Sequence, residues 1–204
     1  MSLLSNNNPS NEYSVILNQN GEIVDIKIPP NVSSINSSFS FTSITHLVIP
    51  DSVSFICNDA FINCLELKKL DLGKNLLFIG NNSFKGSSLN HVKLPDSLAH
   101  IGVGAFVEGS LKHVEFGNGI QEIGEYAFAN NDLENISLPH SLISIQEGAF
   151  LANYIEKVVI PNSVVTIGNN AFAENDLKHL IISSRFQNDI QRICGEVPTY
   201  VEFR

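Results

Sequence analysis

The sequence predicts an α/β solenoid dominated by short parallel β-strands, wound in coils of about 22 residues. Three observations predict it. One spacing repeats along most of the chain, aliphatic residues recur in fixed columns at that spacing, and a phenylalanine closes each unit. The first aliphatic residues of successive units are Ile44, Leu67, Leu89, Leu111, Leu133, Ile155 and Leu177, first 23 and then 22 residues apart. Such a period marks a solenoid, because one unit cannot bury its apolar face alone and must stack on its neighbours.

Residues 1–22 are expected to be a polar leader, beginning "MSLLSNNNPSN", and a hairpin-like N-terminal cap. "YSVILNQNGEIVDI" alternates apolar residues around Asn20-Gly21, a strong two-residue hairpin signal. The repeat array is expected over 23–182, with a degenerate unit starting near Ile23.

Within a coil, the pattern L-x-x-V-x-L places residues such as Leu89, Val92 and Leu94 so that alternate side chains point inward, as in a strand. Pro50, Gly73, Pro95, Gly117, Pro139 and Pro161 follow; none continues a central strand, so they mark a corner. A second inward edge pairs residues three apart, Leu98 with Ile101 or Leu142 with Ile145. Gly80, Gly102, Gly124 and Gly168 form a turn column that calls for either φ > 0 or close backbone approach. Phe61, Phe84, Phe106, Phe128, Phe150 and Phe172 end the coils and should stack as one aromatic column.

That arrangement disposes of a nucleotide fingerprint in "HIGVGAFVEG". Val107 stands where G-x-G-x-x-G needs its third glycine, and Gly104 falls in a chemically variable column beside Asp59, Asn82 and Tyr126. Its pairing with Gly102 reads as coincidence.

Residues 183–204 are expected to be a C-terminal cap, a helix over about 185–194 followed by a short extended segment. Phe186, Ile190 and Ile193 share one helical face, Ser184 with Gln187 has the spacing of a capping box, and Gly195 suits the stop. With an end structure on each side, the array reads as nearly complete.

The full pattern, L-x-x-V-x-L-P-x-S-L-x-x-I-G-x-x-A-F, resembles the BspA-type, or Treponema pallidum-type, leucine-rich repeats over about 44–182 and faintly from 23. Gln146 and Cys57, in the glycine column, are its departures. The resemblance implies a right-handed leucine-rich-repeat solenoid that binds protein. It further implies a surface or secreted molecule of host-associated bacteria or parasitic protozoa, engaged in adhesion to host matrix proteins or in coaggregation.

The chain start has neither the basic n-region nor the apolar h-region of a signal peptide. That leaves localisation open between a secreted or surface protein and a cytoplasmic one, or one delivered by a signal-independent route. The alternative role is therefore a host-delivered bacterial effector or an intracellular scaffold, with an enzyme as a more distant reading. The expected partner is a protein: a host matrix protein, a host intracellular protein or a second copy of the chain.

Composition narrows the classes further. With 21 Asp and Glu against 12 Lys and Arg, the net charge of −9 argues against nucleic acid or an anionic membrane as the main partner. No apolar run reaches membrane-spanning length. Three cysteines are too few for a disulfide framework, though a Cys57–Cys64 bridge is possible. No nucleophile elbow, zinc-protease helix or phosphate loop occurs, and Glu108, Glu125 and Glu147 fall in unequal turns, so neither catalysis nor a cofactor is expected. The sequons at Asn31, Asn36, Asn81 and Asn135 are of the kind an Asn-rich chain produces by chance.

Two surfaces are candidates for binding. The outward strand columns hold His91, His113, Lys157 and His179, then Val159 and Ile181, a mixed basic and apolar face. His91 and His113 on adjacent strands either share a metal, sense pH or sit plainly at the surface, the last being the simplest reading. A second patch of Phe55, Leu77, Phe78, Ile143 and Val165 falls between the inward columns after the corner, and serves either contact or sheet packing.

Overall fold

The computed structural model describes residues 13–36 and 39–204; the leader expected at the extreme N-terminus lies outside them up to residue 12. The first strands are β1 (Ser14–Leu17) and β2 (Ile23–Lys27). Then come β3 (Ser34–Ile35), β4 (His46–Val48), β5 (Phe55–Ile56), β6 (Lys69–Asp71), β7 (Phe78–Ile79), β8 (His91–Lys93) and β9 (His100–Ile101). The rest are β10 (His113–Glu115), β11 (Glu122–Ile123), β12 (Ser144–Ile145), β13 (Lys157–Val159), β14 (Thr166–Ile167), β15 (His179–Ile182) and β16 (Tyr200–Phe203).

These build a parallel β-solenoid of about eight coils with the expected spacing. The α/β part of the expectation is corrected: among the described residues the only α-helix is α1 (Ile190–Cys194), preceded by a 3₁₀ turn at Ser184–Phe186. The reason lies in the turns. From Asp59 and Asn63 to Asn170 and Glu174 each coil passes through left-handed backbone at two positions, for example Tyr126 (φ 53°) and Asn130 (φ 54°), and a right-handed helix cannot run through either.

Two strand faces line the coil. The two-residue strands form one seven-stranded parallel sheet, β3-β5-β7-β9-β11-β12-β14. The strands of three or four residues from β4 onward form a face in pieces, β4-β6, β8-β10 and β13-β15-β16. Between its second and third pieces only the bridge Asn135↔Lys157 remains. There Phe116 replaces the aliphatic residue of its column and sets its ring edge-on to both Phe128 and Phe150.

The core is the predicted columns. Phe61, Phe84, Phe106, Phe128, Phe150 and Phe172 are fully buried and stack with centroids 5.3–5.5 Å apart. Phe39 adds an unforeseen rung, 5.7 Å from Phe61, and Tyr13 closes on Phe39 edge-on at 5.0 Å.

A second ladder beside the rings was not anticipated. Asn131 and Asn153 are buried and Asn175 half-buried one coil apart, and each amide ties its own coil to the one before it. The Asn131 Oδ1 accepts the Leu111 N–H, while its Nδ2 donates to the carbonyls of Phe106 and Phe128.

The glycine column turns out to need close approach, not left-handed backbone. A Cβ on Gly102 would lie 2.7 Å from both the Asn81 nitrogen and the Gly80 carbonyl carbon. Left-handed backbone belongs instead to the column of Asp59, Asn82, Gly104, Tyr126, Gly148 and Asn170, so Gly104 is placed by conformation.

The ends also differ from expectation in detail. β1 and β2 pair antiparallel as the hairpin signal implied, but a five-residue connection joins them, organised by the Asn18 Oδ1, which accepts the N–H groups of Asn20 and Glu22. The single helix over 185–194 is split, and no side-chain cap hydrogen bond forms at Ser183 or Asp189, so the Ser184–Gln187 capping box is absent. Gly195 does end α1, at φ 71° with its N–H on the Gln191 carbonyl. β16 then adds a parallel strand to β15.

Cys57, Cys64 and Cys194 are free, which overturns the Cys57–Cys64 bridge. The two thiols have other partners: Cys57 faces the Asn36 Oδ1, while Cys64 is buried and donates to the Phe39 carbonyl. Burial pushes the Cys64 thiol pKa up, and pushes that of Cys194 to about 12.

Candidate protein-binding surface

The parallel register sets the outward rows of the broken strand face. His46 lies beside Lys69, His91 beside His113, and Lys157 beside both Asn135 and His179, which in turn lies beside Tyr200. Two residues on, Val48 pairs Asp71, Lys93 pairs Glu115, and Ile181 lies between Val159 and Glu202. Strand neighbours are about 4.8 Å apart, so diagonal contacts between the two rows are open to long side chains.

Toward the N-terminal end those diagonals are ion pairs. Asp71 accepts from His46 Nε2 at 2.8 Å and from Lys69 Nζ at 3.0 Å. These hydrogen bonds, that of Lys69 foremost, hold the Asp71 carboxyl below the usual range. Glu115 repeats the motif with His91 at 3.3 Å and Lys93 at 3.2 Å. Lys93 and Glu115 are neighbours in one column, whereas the His–carboxylate diagonals join two columns. A search two residues along the neighbouring strand would have found both.

His91 and His113 are in register as the metal reading required, but His91 points its Nε2 at Glu115. No group of three potential metal ligands occurs among the described residues.

Toward the C-terminal end the face changes character. Lys157 has no ion pair among the described residues, Val159 is 41% exposed, and Ile181 is half-buried between its neighbours. The His179 ring lies 5.7 Å from that of Tyr200, which is 51% exposed. Tyr200 extends the predicted surface by one strand. Its sequence neighbourhood does not obey the repeat, so no column pointed to it.

The second candidate patch divides. Phe55 and Phe78 pair in register on β5 and β7 with Leu77 beside them, whereas Ile143 and Val165 are linked by a backbone hydrogen bond near the other end of the same sheet. Between them stand the coils of His100 and Glu122, whose side chains pair at 3.4 Å.

The geometry defines a class: a repeat protein with a continuous buried spine and extended outer faces. The model of the BspA type leucine rich repeat region matches the chain in six copies, over residues 14–131 and 77–194, and the chain belongs to this family. Leucine-rich repeat proteins are in general protein-interaction modules, and the family is typically non-enzymatic.

Among solved structures, a leucine rich cell surface protein from Faecalibacterium prausnitzii A2-165 is similar at 21% identity and a TM-score of 0.53, over 88% of this chain and 55% of that one. This chain thus spans about half of that protein. The pneumococcal vaccine antigen PcpA aligns at 17% identity and a TM-score of 0.38, over 88% and 81% of the two chains. A leucine-rich repeat protein from Bacteroides ovatus ATCC 8483 aligns at 12% identity and a TM-score of 0.32, over 100% and 98%. The likeness to the Faecalibacterium protein is one of fold. Among curated proteins, none matches this chain. No helix of the described residues is long and apolar enough to cross a membrane.

Proposed function

We propose that this chain binds a partner protein through the C-terminal part of its broken strand face, centred on Lys157, Val159, His179 and Ile181 and extended by Tyr200. One observation carries this reading. Across β4 to β10 the charges on the face are largely paired with one another, whereas across β13, β15 and β16 an unpaired cation sits beside an aliphatic row and an exposed tyrosine. A protein covering ion pairs must strip two charges of water, whereas aliphatic and aromatic groups with a lysine at their edge have the composition of an interface core and rim. His91 and His113 lie at the margin of this surface, and the Phe55, Leu77, Phe78 group and the Ile143, Val165 group are separate secondary candidates.

Adhesion to a host protein is the role we assign first, in keeping with the description of the Faecalibacterium structure as a cell surface protein. A delivered effector or intracellular scaffold is the second. We also assign the hairpin and residues 183–204 to covering the two ends of the array. The buried Ile26, Phe186 and Ile190 support this, as do the Asn170 and Phe172 N–H groups, which donate to the carbonyls of Arg192 and Ile193.

The test is capture of partners from extracellular-matrix extract and, separately, from cell lysate, comparing the native chain with Lys157→Glu/Ile181→Asp. Circular dichroism confirms that the double variant keeps its fold. A matrix partner lost in the variant supports adhesion, and a lysate partner lost in it supports the effector or scaffold role. Undiminished capture by the variant would move the interface to another face.

A further inference from the structure

Two residues break the glycine column, Cys57 and Gln146, and the second, directly after β12, turns a polar side chain to hydrogen bonding. At the glycine column, Gly80, Gly102, Gly124 and Gly168 are held to hydrogen by approaching backbone, yet the coil between the last two carries Gln146. Its side chain is spent on the surface. Nε2 donates to the Glu122 Oε1 at 2.9 Å and to the Ser144 Oγ at 3.0 Å. Ser144 also accepts from the Thr166 Oγ1 at 2.8 Å, and the other Glu122 oxygen faces His100 Nδ1 at 3.4 Å. A departure from local consistency that organises half-buried polar groups at the surface is the kind of exception expected at a functional site.

The parallel pairing puts these groups in a single outward row. Phe55, Phe78, His100, Glu122, Ser144 and Thr166 follow one another strand by strand, at about 4.8 Å per step. The strands are only two residues long, so the row is a narrow strip running along the solenoid axis. One end carries the exposed Phe55 ring with Phe78 half-buried beside it; the other carries the half-buried Glu122, Ser144 and Gln146, joined by hydrogen bonds, between the exposed His100 and Thr166. Ile143 and Val165, 44% and 51% exposed, give the polar end an apolar flank.

We infer that this row, organised by Gln146, is a binding strip for a neutral oligosaccharide lying along the solenoid axis. A pyranose has an apolar C–H face and a rim of hydroxyls. The C–H face suits the electron-rich faces of Phe55 and Phe78 and the aliphatic flank. The hydroxyl rim suits acceptors such as Glu122 and two-way groups such as Ser144, Thr166 and Gln146, whose orientation is fixed before the ligand arrives. The strip advances about 4.8 Å per rung, a step comparable to one pyranose of an extended chain, so neighbouring rungs can meet neighbouring sugars. A protein partner would not need this succession of rungs, and a polyanion would be repelled by Glu122 and the net charge of −9.

The test is saturation-transfer NMR on the full chain with three neutral probes: cellohexaose, maltohexaose and chitohexaose. The expected result is transfer from the protein to at least one probe, lost in Gln146→Gly and reduced at least tenfold in affinity in Phe55→Ser. Both variants adopt residues that their own columns already contain, Gly124 and Ser34, so the fold is kept, as melting curves will verify. The inference is overturned if none of the probes shows transfer at millimolar concentration, or if both variants bind like the native chain. Lys157→Glu/Ile181→Asp should bind the sugar unchanged, which separates failure of this site from failure of the protein-binding face.

Discussion

The side-chain amide of Asn153 donates to the carbonyl of Phe128, a residue 25 positions earlier, at 3.0 Å. Its Oδ1 accepts the buried Leu133 N–H at 3.1 Å, and the same Nδ2 donates to Phe150 in its own coil at 3.2 Å. One buried side chain therefore satisfies backbone groups on two coils. Asn153→Ala should lower unfolding free energy by about 2–4 kcal/mol, since each buried group left unpaired costs about 1–3 kcal/mol. Urea denaturation followed by far-ultraviolet dichroism measures this, and a loss below about 0.5 kcal/mol would deny the ladder a stabilising role.

The middle of the aromatic column should be costlier still. Phe128 contacts Phe106 at 5.3 Å, Phe150 at 5.5 Å and the edge of Phe116 at 5.6 Å. Phe128→Ala should cost about 3–5 kcal/mol, from lost burial and the cavity left behind. Because the coils couple only to their neighbours, the variant should also broaden the melting transition, which calorimetry would register.

Gly102 and Gly104 should respond in opposite ways. Gly104→Asn should be close to neutral, because Asn82 and Asn170 already hold this column at φ 53° and 55°. Gly102→Ala should cost about 1–3 kcal/mol, its methyl group falling among backbone atoms that cannot swing aside. Melting temperatures of the two variants, measured side by side, check the order.

The cysteines set a reactivity order and an alkaline limit. Cys57 is half-exposed, and Cys64 and Cys194 are buried, so one thiol should react with a disulfide reagent before unfolding and three after it. Cys194 titrates near 9.0 when unfolded and about 12 when folded. Between those values the unfolded chain has lost a proton that the folded chain keeps, so stability should fall as pH rises through this window and be unaffected by this thiol below it. Cys194→Ala should flatten the alkaline fall in urea midpoints.

The period, the inward columns and the stacked phenylalanines were legible because each depends on a residue type recurring at one spacing. Left-handed backbone was not, since Asp59, Gly104 and Tyr126 share a conformation and no chemistry. Asn131, Asn153 and Asn175 do recur at the coil length, but an asparagine in a turn reads as exposed until its buried partners are seen. Phe39 was legible too, standing 22 residues before Phe61 and following a serine as Phe84 does, but it lies ahead of Ile44, where the full pattern begins. At the candidate face, Lys157 and Val159 were placed by column and the His46–Asp71 diagonal lies within reach of two columns read together, while Tyr200 needed the third dimension. Expecting a helix in each coil would have required a run free of left-handed turns, which no coil supplies.

The strand face is broken twice, between β6 and β8 and again between β10 and β13, where only the bridge between Asn135 and Lys157 remains, and both breaks are mechanical seams. A chain pulled by its ends should part at one of them first, then shed whole coils one after another. Each coil would release about 70–80 Å of slack, giving a force trace with evenly spaced teeth, in which the two seams are the lowest.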